Sequence, residues 1–270
     1  MNNDLLILEN ISYGNHERQK FDLFVPDKIK TETGIIVFIH GGGWCEGDKS
    51  GHHPDAKYFC SLGYICAAIN YRFVEDNISI FDELDDISTA LKAIKRTLSE
   101  HGYNINKSIL SGGSAGGHLS LMYAYTRIDD SPVPPVAACV YCPPVNCYSS
   151  DFLLEISGEF EDWKYHILSK CCGVPMNQET FLHPEQQNAL KKISPEKYVT
   201  CNIVPTAVFH GKNDELVPYK HIINFIDTLN KLGIKNDLLI YEKSGHSMKD
   251  DPECDSEAKR IIYDYAELYF

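Results

Sequence analysis

Ser114 stands in the pentapeptide Gly112-Gly113-Ser114-Ala115-Gly116, just after the run Ser108-Ile109-Leu110 and just before a helix-like run from His118 to Tyr125. A serine at G-x-S-x-G spacing between a strand and a helix is the pattern of a nucleophile elbow. Such a turn strains the serine backbone and pushes its hydroxyl out at the end of the sheet. Side chains two positions to either side would meet the neighbouring strand and helix, which is why glycine suits 112 and 116. A serine used in this way needs a base for its proton, an acid to orient the base, and N–H donors for a developing oxyanion. Three other stretches offer them: His40-Gly41-Gly42-Gly43-Trp44, Gly211-Lys212-Asn213-Asp214 and Ser244-Gly245-His246. Each follows a predicted strand, and the chain order is Ser, Asp, His.

The roles follow from the chemistry. Ser114 is the expected nucleophile, His246 the base that takes its proton and returns it to the leaving group, and Asp214 the acid that fixes the imidazole. Ala115, directly after the nucleophile, supplies one oxyanion N–H. Two of Gly41, Gly42 and Gly43 supply the others, with Gly42 and Gly43 the favoured pair; lacking Cβ, they let the backbone approach a ligand closely. Glu215 is a rival to Asp214. His118 lies one helical turn beyond Ser114 and is the poorer base, because a side chain on that helix is not aimed at the nucleophile. Trp44, Tyr71 and Tyr148 are candidates to line a substrate pocket, with plain aromatic packing as the competing reading. Arg72 reads as the partner of a carboxylate.

These groups must be placed by a sheet, and the chain supplies one. Gly34-Ile35-Ile36-Val37-Phe38-Ile39 is a continuous β-branched run, as expected of a strand buried on both faces. Similar strands are predicted at 64–72, 107–110, 136–141, 205–210 and 236–241, and the runs 5–8 and 21–25 read as an antiparallel edge. Helices are predicted at 54–62, 82–100, 118–125, 219–232 and 256–268. The clearest carries Leu84, Ile87, Leu91, Ile94 and Leu98 at spacings of three and four. Alternating strands and helices imply a mainly parallel sheet with helices on both faces, and ligands then sit beyond the carboxyl ends of the strands. Residues 145–200 break the alternation, with short helical pieces near 150–157, 163–170 and 184–190. The expected organisation is one α/β domain over 1–270 with a helical cap inserted at about 145–200.

Together, the His40–Trp44, Gly112–His118, His210–Pro218 and Gly245-His246 stretches resemble the α/β-hydrolase superfamily. Within it the chain is similar to the hormone-sensitive-lipase-like carboxylesterases and related bacterial esterases, including feruloyl and acetyl esterases. The resemblance runs from about residue 20 to the end, apart from the 145–200 insertion. It implies hydrolysis of small carboxylic esters through an acyl-serine, with neither cofactor nor metal. The H-G-G-x-W pattern at 40–44 is also that of kynurenine-formamidase-like members, so cleavage of an N-formyl amide is the alternative within the fold. A peptidase like the C-terminal domain of prolyl oligopeptidases is a weaker match, since no propeller precedes this one. Outside enzymes, the alternative is a protein of this fold that binds a small ligand without turnover. An intact serine, histidine and aspartate argue against it.

Composition narrows the partners. The chain has 270 residues, 43% hydrophobic and 23% charged, with a formal net charge of −13. That charge disfavours nucleic acid and anionic membrane surfaces. The first ten residues lack the pattern of a secretory signal, and no run has the length of a membrane span, so a cytoplasmic protein is expected. Ten cysteines are not spaced as metal-binding pairs and read as free, mostly buried thiols. Adjacent His52 and His53 are poorly suited to share one ion, and Cys45 reads as a buried spectator. Whether two copies pair as a homodimer is not legible in the chain.

Overall fold

The computed structural model of the protein describes residues 5–31, 33–75, 78–152 and 159–270. Its strands are β1 (Leu6–Ser12), β2 (Lys20–Val25), β3 (Gly34–Ile39), β4 (Ile65–Ile69), β5 (Lys107–Gly113), β6 (Pro135–Tyr141), β7 (Thr206–Gly211) and β8 (Asn236–Tyr241). They form one eight-stranded sheet in the order β1-β2-β4-β3-β5-β6-β7-β8. β1 pairs antiparallel with β2 and β2 antiparallel with β4, while every later pairing is parallel.

The helices are α1 (His53–Ser61), α2 (Ile80–Glu100), α3 (Ala115–Thr126), α4 (Glu159–Cys172), α5 (Pro184–Lys192), α6 (Tyr219–Lys231) and α7 (Pro252–Tyr269). The period-two alternation of β3 sorts them into layers. Ile35, Val37 and Ile39 point to one face and join the core built with Leu84, Ile87, Leu91, Ile94 and Leu98 of α2 and Ile222, Phe225 and Leu229 of α6. Ile36 and Phe38 point to the other and join Ala56 and Phe59 of α1 and Ala258, Ile262 and Tyr265 of α7. Both cores are sealed from water, so the central strands carry apolar residues at every position.

Several boundaries differ from the sequence expectation for identifiable reasons. β5 runs on to Gly113, because Ser111 and Gly112 still pair with Phe38 and Ile39 of β3 and Gly113 with Tyr141 of β6. α3 begins at Ala115, so two glycines of low helix propensity lie inside it; packing against the strand ends overrides that propensity. α7 begins at Pro252, whose missing N–H costs nothing in the first turn. Within 145–200, α4 and α5 occupy the places of two expected helical pieces; most of the third, 153–157, lies outside the described residues. None of the described helices is long and apolar enough to cross a membrane.

The register decides what meets at the functional end of the sheet. Ile39 is level with Gly112, Gly113 with Tyr141, and Gly211 with Tyr241. The turns after β3, β5, β6, β7 and β8 therefore leave the sheet side by side.

Candidate active site

Ser114 sits between β5 and α3 with φ 53° and ψ −121°, a left-handed conformation that costs an L residue on the order of 1 kcal/mol or more. Neighbouring glycines make the turn possible. A Cβ at Gly112 would lie 2.4 Å from the Ile39 carbonyl oxygen, and one at Gly116 would lie 2.0 Å from that same oxygen. The Ser114 N–H donates to the Tyr141 carbonyl at 2.8 Å, tying the turn to the adjacent strand end.

His246 comes from the loop after β8. Asp251 accepts from the Lys243 and Ser244 N–H groups and the Ser244 hydroxyl, at 2.7–2.9 Å, and so anchors that loop. Gly211 lets the ends of β7 and β8 approach, since a Cβ there would lie 2.4 Å from the Gly245 oxygen. His246 Nε2 is 2.9 Å from Ser114 Oγ, and its Nδ1 is 2.8 Å from Asp214 Oδ2. A carboxylate only accepts, so Nδ1 carries the proton, and Nε2 is left to accept from the serine hydroxyl. The other Asp214 oxygen accepts from the Leu216 and Val217 N–H groups, each at 2.9 Å. That turn buries the carboxylate and leaves a single oxygen for His246. Its rival Glu215 is exposed.

The glycine-rich turn after β3 has Gly42 at φ 113°, Gly43 at φ 54° and Trp44 at φ 63°. Cys45 and Glu46 both donate to the Gly42 carbonyl, at 3.0 and 2.9 Å. The turn thereby closes on itself. Among the described residues, no protein group takes up the N–H of Gly42, Gly43 or Ala115.

Two hollows meet at Ser114 and His246. One, of about 340 Å³, is mostly apolar and is bounded by Gly42, Gly43, Trp44, Pro144, Phe152, Trp163 and Val217. The other, of about 530 Å³, opens past Gly41, Tyr141, Cys142, Met248 and Asp255. Trp44 contributes to the first and also donates its Nε1–H to His118 Nδ1 at 3.1 Å.

Tyr71 and Tyr148, the other aromatic candidates, are not brought to either hollow. Tyr71 is fully buried beneath the glycine turn, its hydroxyl donating to the His40 carbonyl at 2.9 Å and its ring stacked on the imidazole at 4.3 Å. Tyr148 bonds Glu196 through its hydroxyl, with the Lys197 ammonium 4.5 Å from its ring centre. Phe152, Trp163 and Pro144 were missed as lining residues. The only signal for Phe152 and Trp163 was the aromatic content of residues 145–200.

His118 is occupied elsewhere. Its Nε2 lies 2.6 Å from the Ile193 carbonyl and must donate, which commits Nδ1 to Trp44. Burial lowers its pKa to about 4, so it stays neutral. Arg72 makes a two-pronged bond to Asp86. His53 pairs with Asp22 at 2.7 Å while His52 stacks on Phe38, so the two rings serve different partners. All ten cysteines are unpaired, and burial pushes the Cys45 thiol up to about 11. Ligand-type atoms of Cys142, Asp214 and His246 lie within 4.8 Å of one another. Burial holds the Cys142 thiol protonated, and Asp214 and His246 are bonded to each other, so this donor set suits hydrogen bonding rather than a metal.

Residues 21–229 match the family model described as BD-FAE. The chain is similar to "Probable carboxylic ester hydrolase LipM" of Mycobacterium tuberculosis, 32% identical over 237 residues, which are 83% of this chain and 52% of that protein. It is also similar to "Probable isoprenylcysteine alpha-carbonyl methylesterase ICMEL1" of Arabidopsis thaliana, at 24% identity over 89% of this chain and 51% of that protein. The chain thus spans about half the length of these curated relatives. Among solved structures, esterase B from Lactobacillus rhamnosis superposes with TM-score 0.75 at 20% identity, over 98% of this chain and 86% of that one. The propionate-bound esterase Est2 of Thermogutta terrifontis gives TM-score 0.72 at 23% identity, over 96% and 94%. At those identities the likeness establishes a shared fold, that of the α/β-hydrolases.

Proposed function

The chain belongs to the BD-FAE family, and from that premise we propose that it is a serine hydrolase of small carboxylic esters. One observation carries the reading: the continuous line from Ser114 Oγ through both ring nitrogens of His246 to Asp214 Oδ2, with steps of 2.9 and 2.8 Å. In this mechanism Ser114 Oγ attacks the ester carbon while its proton passes to His246 Nε2. The carbonyl π pair moves onto oxygen, where the N–H groups of Gly42, Gly43 and Ala115 receive it. Each such donor is worth roughly 10²–10³ in kcat. Collapse breaks the bond to the alkoxide, which leaves with the proton from His246. A water, deprotonated by the same imidazole, then frees the acid and restores Ser114. Asp214 holds the ring in the required tautomer and stabilises the imidazolium.

The smaller, apolar hollow suits a short aliphatic or aryl group. Trp163, which bounds it, lies on α4 within 145–200, and in this reading the inserted segment acts as a cap that sets substrate size. The test is hydrolysis of p-nitrophenyl acetate and butyrate against Ser114→Ala. A wild type no faster than that variant on any ester or formamide defeats the reading and leaves a non-catalytic binder. A panel of methyl ferulate, acetylated sugars and N-formylkynurenine separates ester from formamide cleavage.

A further inference from the structure

We propose that Arg18, in the turn between β1 and β2, is a positioning residue for the oxyanion hole: it sets the tautomer of His40, and His40 aims the Gly42 N–H. The proposal rests on the serine-esterase reading for its consequence and on geometry for its cause.

Arg18 Nη2 lies 3.1 Å from His40 Nε2 and 3.0 Å from the Gly47 carbonyl, and its Nε lies 2.9 Å from the Tyr71 carbonyl. The guanidinium also lies 3.6 Å over the Phe73 ring, so the fork is held from several sides. On its other edge, His40 Nδ1 is 2.7 Å from the Gly41 carbonyl oxygen. A guanidinium has no acceptor, so His40 Nε2 must accept. A carbonyl has no proton to give, so Nδ1 must donate. Only the Nδ1–H tautomer satisfies both contacts. Burial lowers the His40 pKa to about 4, so the ring carries one proton in neutral solution and its location matters.

The Gly41 carbonyl and the Gly42 N–H belong to one trans peptide and point in opposite directions. Capturing the carbonyl on the His40 side therefore turns the Gly42 N–H away from His40, and Gly42 lines the hollow that contains Ser114. Gly47 leaves room for the arrangement: a Cβ there would sit 2.4 Å from the Gly41 oxygen and 2.7 Å from His40 Nδ1. With Arg18 removed, only the Gly41 carbonyl still favours Nδ1–H, and no donor opposes a proton on Nε2. The other tautomer would set a nitrogen lone pair against the Gly41 oxygen, and the peptide would lose its orientation.

The test is Arg18→Met, with ¹⁵N NMR of histidine-labelled protein and kinetics on p-nitrophenyl butyrate. Wild-type His40 is expected to carry its proton on Nδ1, and the variant to shift towards Nε2–H. The expected kinetic change is a loss of about 10–100-fold in kcat with KM within about twofold, the range for a misaimed oxyanion donor. Affinity for an aryl trifluoromethyl ketone, whose serine adduct carries an oxyanion, should fall in parallel, and added guanidinium should restore part of both. A wild-type His40 protonated on Nε2 overturns the proposal, and so does unchanged kcat in the variant. Lost kcat with an unchanged His40 tautomer, or matched by equal loss of ground-state binding, overturns it too. If Arg18→Met does not fold, Arg18→Gln, whose amide can donate or accept, is read by the same tautomer and kcat measurements with the same outcomes. An inactive wild type would sink the esterase reading alone, leaving the spectrum to judge the relay.

Discussion

Two turns meet above the sheet, and they are held in different ways. The Ser114 turn is specified by its immediate neighbours: Gly112 and Gly116 are small because the Ile39 carbonyl oxygen of β3 lies 2.4 and 2.0 Å from where their Cβ atoms would be. The His40–Gly47 turn has three consecutive residues at positive φ, and its bracing comes from far along the chain. Arg18 grips His40 and Gly47, and Tyr71 bonds the His40 carbonyl. The Trp44–His118 hydrogen bond joins the two turns. The contrast teaches that a strained serine can be written into a pentapeptide. In the proposed mechanism, the N–H groups of the glycine turn depend on supports that no local motif contains.

The largest effect should fall on the groups bonded to Ser114. His246→Ala is expected to lower kcat by about 10⁴-fold or more on p-nitrophenyl butyrate, while His118→Ala stays within about tenfold. The reverse order would make His118 the base. Next, Gly47→Ala should reduce kcat by roughly 10–100-fold with the fold intact by circular dichroism, because a methyl there displaces the Gly41 carbonyl. Wild-type activity in that variant would break the contrast between the turns. Trp163→Ala opens the apolar hollow and should raise the kcat/KM ratio of p-nitrophenyl octanoate over acetate by about tenfold. An unchanged ratio would remove Trp163 from the substrate wall.

The last effect is thermodynamic and has one contributor in the glycine turn and one on α3. His40 and His118 are both lowered to about 4 by burial, against about 6.5 in the unfolded chain. As pH falls below about 6.5 the unfolded state takes up protons first, so stability declines towards pH 4. Each group contributes at most about 1.4 kcal/mol per pH unit over that window. Urea unfolding at pH 7, 6 and 5 should show the decline, and His118→Gln should make it shallower by about one proton. A midpoint flat over that range would contradict two neutral buried rings.

Much of the arrangement was legible before any coordinates. Unbroken β-branched runs announce strands buried on both faces, because nothing in them alternates with water. The short segments after those strands announce the functional edge, because parallel strands end on one side. Aromatic residues were harder to place. Tyr71 and Trp44 both lie beside the glycine turn, yet one packs under it and the other faces the hollow, a difference of side-chain direction that spacing does not encode. Phe152 and Trp163 line the hollow from the segment after β6, far along the chain from the glycine turn. Arg18 lies 22 positions from His40, on the antiparallel edge, within no motif.

By itself, then, the sequence determined the chain of strands and helices, the residue types at each strand end, and their order Ser, Asp, His. Those follow from local sterics and periodicity, which act over a few residues. Only the tertiary structure decided which aromatics bound the hollow and what braces the glycine turn. Those depend on the register of parallel strands and on direction across the sheet, where a shift of one residue turns a side chain to the opposite face.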